Sequence, residues 1–243
     1  MKILHFNTLP IIFITIFIVL SPTYILKSQN NSISVDLSEK IIKKIYNKYI
    51  PVYKKYSGVE SNRSIDIIEY NPGSNTLINR YTVLLVRKNY FYKKPDIEVL
   101  QYIKSNTEQR PSDYQSREIE PPVPVLDENG MKSYTAVIMK YAKVLNTKCY
   151  QMKVVPRKKN SEHFDGFMYF RTDNLELLLM EGTFGDLPYS IKEYNMKLYY
   201  EHINDLPVMK SGSYIIRTYI PVLQPDRRYM FSIKVNNSKP LFH

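Results

Sequence analysis

The first part of the chain alternates apolar and polar residues with the spacing of an α-helix. In "LSEKIIKKIYNKYIPVYKKY", residues 37–56, the lysines and the glutamate fall opposite an apolar stripe. The stripe consists of Ile41, Ile42, Ile45, Tyr49, Val52, Tyr53 and Tyr56. Asp36 or Ser38 is a suitable N-cap, with Glu39 in the first turn, and Pro51 is expected to kink or end the helix. The pattern predicts an amphipathic helix that packs on the rest of the domain.

After this helix the spacing changes to the period of two that is typical of β-strands. The segments "IDIIEY" and "YTVLLVRKNYFY" are predicted strands, joined by a turn at "NPGSN". Four later segments, "VIMKY", "CYQMKVV", "KEYNMKLYYE" and "YMFSIKV", also alternate. Their apolar side carries Val137, Met139, Tyr141, Tyr150, Met152, Val154, Tyr194, Met196, Leu198, Tyr200, Tyr229, Phe231, Ile233 and Val235, whereas Lys140, Lys153, Lys197 and Lys234 point away. Such strands, joined by turns, predict an antiparallel sheet with one apolar face and one wet face.

Three segments of the predicted sheet are apolar on both sides. They run from Phe167 to Phe170, from Leu175 to Met180 and from Tyr214 to Ile220. A half-buried strand does not have this pattern, so both faces of these three segments need cover. We expect a loop or a partner to lie on the outer side of the middle of the sheet.

The section between the two groups of strands is less regular. "DIEVLQYIKSN" is predicted to form a short helix. Residues 107–130, "TEQRPSDYQSREIEPPVPVLDENG", are polar and contain four prolines. Loops of this length are usually functional or mobile.

The N-terminus has the features of an export signal. A lysine at position 2 precedes an apolar run from Leu9 to Leu20, and the polar "KSQNNS" follows. The run is shorter than the roughly 20 apolar residues that a membrane span needs. We therefore expect residues 1–28 to be a removed signal peptide and residues 29–243 to form one domain. An uncleaved N-terminal anchor is the alternative.

The charge of the chain limits the classes of partner. The net charge is +11, and it is +9 once Lys2 and Lys27 leave with the signal (32 basic against 23 acidic residues). Basic charge favours nucleic acid, an anionic membrane surface or acidic head groups, and export argues against nucleic acid. The single cysteine, Cys149, excludes an internal disulfide.

Motifs for catalysis are missing from the sequence. His163, His202 and His243 are not at metal-ligand spacing, and there is no nucleophile elbow, Walker loop or dinucleotide-binding glycine motif. Glu118 and Glu120 form an acidic pair, but beside "PP" they are better explained as a surface feature than as a glycosidase pair. We expect neither an enzyme nor a bound metal or cofactor. Alternating tyrosines and lysines could suggest a nucleic-acid platform, but such a platform needs both on one face. In the four alternating strands the aromatic residues and the lysines fall on opposite faces, so the aromatic residues are better explained as the core of the sheet.

The segment from about Lys148 to Lys234 resembles the LolA-like family of outer-membrane lipoprotein-sorting and carrier proteins. The resemblance lies in "CYQMKVVP", in "DGFMYF", in "MEG" at residues 180–182, and in the tyrosine strand that ends in the "LP" turn at residues 206–207. It implies a mainly β domain with flanking helices (α+β), a strongly curved antiparallel sheet that forms an unclosed half-barrel covered by helices. It also implies an arginine that gates the cavity, for which Arg80, Arg87 and Arg171 are candidates.

Two hypotheses of function follow. In the first, the protein is a periplasmic carrier or receptor that binds a lipid or the acyl chain of a lipoprotein on the concave face of the sheet. The predicted lining is Ile45, Tyr49, Met139, Met152, Tyr194, Met196, Leu198, Phe231 and Ile233. In the second, the protein is a non-enzymatic envelope interaction or stress-sensing module with a closed core. The volume inside the domain distinguishes the two.

Overall fold

The fold is described from a computed structural model, for residues 33–113, 125–158, 163–221 and 224–243. These residues lie in one compact unit, residues 31–243. The predicted signal peptide lies outside the described residues, so its cleavage stays a prediction. The predicted loop at 107–130 is described only at its ends, where short elements replace part of it.

The described residues form two α-helices and eleven strands in one antiparallel sheet. The helices are α1 (Val35–Lys55) and α2 (Glu128–Ser133), with a 3-10 turn at Pro111–Asp113. The strands are β1 (Tyr56–Asn71), β2 (Thr76–Tyr90), β3 (Asp96–Lys104), β4 (Thr107–Gln109), β5 (Tyr134–Val144), β6 (Thr147–Pro156), β7 (Phe164–Arg171), β8 (Leu177–Phe184), β9 (Ile191–Ile203), β10 (Leu206–Ile220) and β11 (Gln224–Phe242). Their order in the sheet is β4-β3-β2-β1-β11-β10-β9-β8-β7-β6-β5. The predicted fold, an unclosed antiparallel half-barrel with flanking helices, is confirmed.

Helix α1 forms as predicted but starts and ends elsewhere. Ser34 is the N-cap, because its side chain accepts a hydrogen bond from the Leu37 N–H. The helix also continues through Pro51 to Lys55. The missing N–H of Pro51 leaves the carbonyl of Asn47 without its helix partner. Since both residues are exposed, water can replace that bond.

Three hairpin turns explain how a sheet with so many strands contains few glycines. The central residue pairs Ser105-Asn106, Leu145-Asn146 and Asn204-Asp205 all have positive φ, between 46° and 68°. Two-residue turns with this backbone match the twist of the adjoining strands, and asparagine tolerates it well. Each of these turns carries an asparagine.

The predicted short helix at "DIEVLQYIKSN" is wrong, because these residues form β3. This strand pairs with β2 from Lys88↔Asp96 to Tyr81↔Lys104. Ile97, Val99 and Tyr102 pack against the main core. A register shift near Leu100 breaks the strict alternation, and this break resembles helical spacing in the sequence.

The facing predicted for β5 is also wrong in part, for Val137 and Met139. These side chains are 45% and 49% exposed, whereas Ile138 between them is buried. The register with β6 shifts between Ile138↔Met152 and Lys140↔Gln151, so Met139 is the extra residue of a β-bulge. A bulge reverses the facing on one side of it, and an alternation counted through it assigns half the strand to the wrong face.

The outer face at the middle of the sheet is covered by its own side chains. Val144, Cys149, Tyr169 and Leu179 form a small buried cluster there, with Phe167, Leu178 and Tyr199 against it. The Tyr169 hydroxyl donates to Glu181 (2.6 Å) and receives a hydrogen bond from Gln151 (2.8 Å). Lys153 lies 4.9 Å from the centre of the Phe167 ring. For the two-sided segments 167–170 and 175–180, the outer cover comes from side chains of neighbouring strands rather than from a loop.

Candidate functional site

A cavity of about 180 Å³ lies on the apolar side of the sheet, beside the last turn of α1. Tyr53 contributes from that turn, and Met168, Met180 and Leu198 contribute from the main core. Val208, at the start of β10, belongs to a second small cluster with Tyr56 and Leu206. A cavity of about 150 Å³ lined by aliphatic and aromatic groups takes up benzene. The space between the two clusters is therefore large enough for a segment of a hydrocarbon chain.

One wall of the cavity is basic. Arg63 on β1 and Arg87 on β2 line it, and both are almost fully buried, at 4% and 3% exposure. The Nε of Arg63 donates to the Ser61 hydroxyl (3.0 Å), and the Nε of Arg87 donates to Asn89 Oδ1 (2.6 Å). These bonds fix the orientation of both guanidinium groups at the cavity wall.

The position of the arginines follows from the alternation along β1 and β2. Arg63 and Ile65 point to the same face of β1, and Ile65 belongs to the main core. Arg87 is directly opposite Ser61, and Leu85 is directly opposite Arg63. The two arginines are thus diagonal neighbours on the inner face of the sheet. Side chains in this relation start about 7–8 Å apart, within reach of each other for a side chain as long as arginine.

One turn before the cavity, Tyr49 anchors α1 to the sheet. Its hydroxyl donates to the Leu175 carbonyl (3.0 Å), accepts from the Leu177 N–H (2.9 Å) and lies 3.0 Å from His202 Nε2. A tyrosine hydroxyl has one hydrogen and two lone pairs. Because the hydrogen goes to Leu175, the arrangement requires His202 Nε2 to carry a proton and donate.

Burial shifts the pKa values of Tyr49 and His202 in opposite directions. It raises the pKa of the Tyr49 hydroxyl, although the Leu177 N–H acts against this. It lowers the pKa of His202, and Lys48 and Arg171 lower it further, while Glu176 and Asp205 act in the opposite direction. Both shifts favour the neutral forms near pH 7, and the neutral Nε2–H tautomer of His202 is compatible with the hydrogen bonds.

The nine residues predicted to line a ligand site fall into three groups. Leu198 lines the cavity. Ile45, Tyr49, Met152, Tyr194, Met196, Phe231 and Ile233 are buried in the main core, as their predicted facing requires, but lie outside the cavity lining. Met139 is half exposed on the bulge, so its predicted inward facing is wrong.

Most of the cavity lining was not predicted from the sequence. Arg63 and Ser61 were missed because β1 extends nine residues before "IDIIEY", through "YSGVESNRS", which looks like a polar loop. Continuing the alternation back from Ile65 would have placed both on the apolar face. Met168, Leu177 and Met180 lie in segments that are apolar on both sides, where alternation does not indicate the facing.

The structure separates the three arginines that the family resemblance proposed. Arg87 lines the cavity, whereas Arg80 is exposed on the same strand. Arg171 is paired with Asp173 at 2.7 Å, near the end of β7. Of the three, only Arg87 lines the cavity, and the gating role stays a prediction.

The described residues contain no group of three or more histidine, cysteine or acidic side chains placed to hold a metal ion. None of the helices in these ranges has the length and apolar character needed to span a membrane.

Neither a family model nor a curated protein sequence matches the chain. Among solved structures, it is similar to a LolA superfamily protein from Nitrosomonas europaea, with 10% identity, 83% of this chain and 94% of that chain covered, and a TM-score of 0.39. A putative outer membrane lipoprotein-sorting protein domain from Vibrio parahaemolyticus has 8% identity, coverage of 85% and 93%, and a TM-score of 0.39. The MucA/MucB complex of Pseudomonas aeruginosa has 7% identity, coverage of 84% and 100%, and a TM-score of 0.26. The first two of these descriptions name the same kind of protein as the sequence resemblance does.

Proposed function

We propose that the protein binds the apolar part of an amphiphile, a lipid or the acyl chain of a lipoprotein, and carries or presents it in the periplasm of a Gram-negative-type bacterium. The observation that carries this proposal is the cavity of about 180 Å³ between the main core and the cluster around Val208. A well-packed interior leaves few voids larger than a water molecule. A space of this size that also opens to solvent supports a ligand site over a closed core.

The energetics of the cavity favour an apolar ligand. Met168, Leu177, Met180 and Leu198 present hydrocarbon and thioether surface to it. Moving apolar surface out of water is worth about 25 cal/mol per Å². Each methylene that enters the cavity thus contributes about 0.8 kcal/mol to binding.

The proposal is tested by native mass spectrometry of the protein purified from cells, combined with displacement of a fluorescent fatty acid. We expect a co-purified lipid and saturable displacement. Leu198→Phe fills part of the cavity and should weaken binding several-fold. Met196→Phe is the matched control, because Met196 lies two residues away on β9, is buried and does not line the cavity. A clean apo mass, together with no displacement, would rule out the carrier function.

The envelope interaction module remains the second candidate because of one observation on β5. This edge strand exposes Val137 and Met139, and Leu145 follows in the turn at 75% exposure. Exposed apolar side chains on an edge strand are typical of surfaces that dock a protein. A photo-crosslinker placed at Met139 in cells should then yield a discrete heavier product, and the same group at exposed Lys197 should not. Without such a product, this candidate fails.

A further inference from the structure

We propose that the exposed face of α1 docks the protein on an anionic lipid membrane. The membrane then also lies against the mouth of the cavity, between the last turn of α1 and the loop at residues 91–95. This proposal deepens the proposed function, on which it rests for the role of the cavity, because it names the surface from which an acyl chain enters. It begins from the charge of the helix. From Lys40 to Lys55, α1 contains six lysines and no acidic residue, while Asp36 and Glu39 lie in the turn before.

The six lysines form one stripe along the helix. A turn of 3.6 residues places successive residues about 100° apart, so all six fall within an arc of about 140°. This arc excludes the side of α1 that packs on the sheet through Ile41, Ile45 and Tyr49. The stripe is about 22 Å long at 1.5 Å per residue. Below it is called the basic stripe, and its members are Lys40, Lys43, Lys44, Lys48, Lys54 and Lys55.

Acidic side chains neutralise the basic stripe only in part. Lys48 lies 3.8 Å from Asp205, and Lys54 lies 2.5 Å from Glu128. The other four lysines are exposed, and within the described ranges no ion pair joins them to an acidic side chain. The stripe therefore keeps a net positive charge.

The composition of this face fits a membrane better than a protein partner. Every exposed position between Lys40 and Lys55 is a lysine, an asparagine or a proline. The centre of a protein interface is depleted in lysine and enriched in aromatic residues and arginine. A lipid surface needs no such anchor, because anionic head groups attract lysines on a helix and each lysine near them strengthens binding about fivefold.

The basic stripe ends beside the mouth of the cavity. The ring of Tyr53, in the last turn of α1, packs at 4.8 Å on Phe91, which begins the loop at residues 91–95. In this loop Tyr92 is 56% exposed, and the exposed Lys93 and Lys94 follow it. Tyrosines are enriched where proteins meet the head-group region of a membrane. A membrane that contacts both the end of the stripe and this loop lies directly at the mouth.

Co-sedimentation with lipid vesicles tests the docking on the protein purified from cells. We expect binding to vesicles that contain phosphatidylglycerol and little binding to vesicles of phosphatidylcholine alone. High salt should weaken the binding, because it screens exposed charges. Equal binding to both kinds of vesicle would overturn the proposal. An absence of binding to the anionic vesicles at low salt would also overturn it, and would leave an acidic protein as the occupant of the stripe.

Two triple variants with the same loss of charge test whether the stripe is responsible. The variant in the stripe should reduce vesicle binding at least about tenfold, and the control on the sheet should change it by less than about twofold. Equal losses would mean that net charge, not the stripe, binds the vesicles, and would overturn the proposal. Glutamine and lysine have similar helix propensities, so α1 should remain intact. The first variant is Lys40→Gln, Lys43→Gln and Lys44→Gln, and the control, at exposed strand positions, is Lys140→Gln, Lys143→Gln and Lys234→Gln.

The orientation is tested with a single tryptophan, a residue that the chain lacks. Lipids with brominated chains quench tryptophan that reaches the membrane, so they should quench Tyr92→Trp strongly. Tyr189→Trp is the matched control, because Tyr189 is 73% exposed and precedes β9, whose other end carries Tyr200 at the cavity. Equal quenching of the two, or stronger quenching at residue 189, would overturn the proposal. Vesicle binding in this orientation without any co-purified or displaced lipid would leave the docking standing while the carrier function fails.

Discussion

Tyr49 and Tyr53 lie one turn apart on the same apolar side of α1, but their surroundings differ. The Tyr49 hydroxyl contacts Leu175, Leu177 and His202, and its side chain is fully buried. The Tyr53 ring packs at 4.8 Å on Phe91 and borders the cavity. One half of the helix is therefore fixed to the sheet, and the other half encloses space. An apolar stripe in a sequence can thus provide stability at one turn and ligand capacity at the next.

The largest expected effect comes from a charge in the main core. Met196→Asp places a carboxylate where the side chain is 3% exposed. Burying such a group costs several kcal/mol, against a total stability of about 5–15 kcal/mol. We expect loss of the folded protein, measured as loss of soluble yield and of the far-UV circular dichroism signal. Lys197→Asp, on the exposed face of the same strand, should remain folded. If Met196→Asp remains folded with unchanged stability, Met196 does not belong to the main core.

The next effect separates the two tyrosines directly. Tyr49→Phe removes the hydroxyl that satisfies the buried Leu177 N–H and should cost about 1–3 kcal/mol in the free energy of unfolding. Tyr53→Phe keeps the ring that packs on Phe91 and should cost less than about 0.5 kcal/mol. Urea denaturation of both variants measures the difference. Equal losses would remove the distinction between the fixed and the cavity-lining half of α1.

The pH dependence of stability should come partly from His202, which contacts Tyr49 in the fixed half of α1. Burial lowers the pKa of this imidazole below its ordinary 6.5, so the unfolded chain binds the proton more tightly than the folded protein does. The contribution of His202 to stability is therefore full above about pH 6.5 and is lost as the pH falls towards the folded pKa. Urea midpoints across this range, compared with those of His202→Gln, isolate the contribution. A difference in urea midpoint between the two proteins that is the same at every pH would contradict this contribution of His202.

The smallest effect concerns the bulge in β5. Met139→Lys replaces a half-exposed side chain and should change stability by less than about 0.5 kcal/mol. Ile138→Lys, at the buried neighbouring position, should be strongly destabilising. Thermal melts of the two variants test whether the register shift lies where the structure has it, and the opposite ranking would restore the facing predicted from simple alternation.

Alternation predicted the fold where a strand was regular and covered on one side only. The facing of β9 and β11 is confirmed because their register is continuous through Tyr194 to Leu198 and through Tyr229 to Ile233. The facing predicted for β5 was wrong at Met139, because a bulge cannot be recognised from a pattern of apolar residues. The prediction of a short helix was wrong for β3, where the register shift near Leu100 produces a spacing that resembles a helix.

The candidate site was harder to predict because it depends on the space that the core side chains leave empty. Tyr194 and Met196 share the apolar face with Leu198, but only Leu198 reaches the cavity. The difference depends on how facing side chains fit in three dimensions, which a single strand does not encode. The inward facing of the arginines, in contrast, could have been predicted from the sequence, because Arg63 continues the alternation of Ile65 and Ile67.

The strand order has a consequence for how the chain folds. From β5 to β11, and from β1 to β4, each strand pairs with its neighbour in sequence, and among the described strands the two series are joined by the pairing of β1 with β11. At one end of this seam, the Ser57 hydroxyl donates to the Phe242 carbonyl, 185 residues away in the chain. Contacts this distant slow folding, because a large loop must close before they form. β1 therefore gains its partner β11 only after the rest of the chain has been synthesised. Until then both series have an unpaired edge that needs protection from other chains.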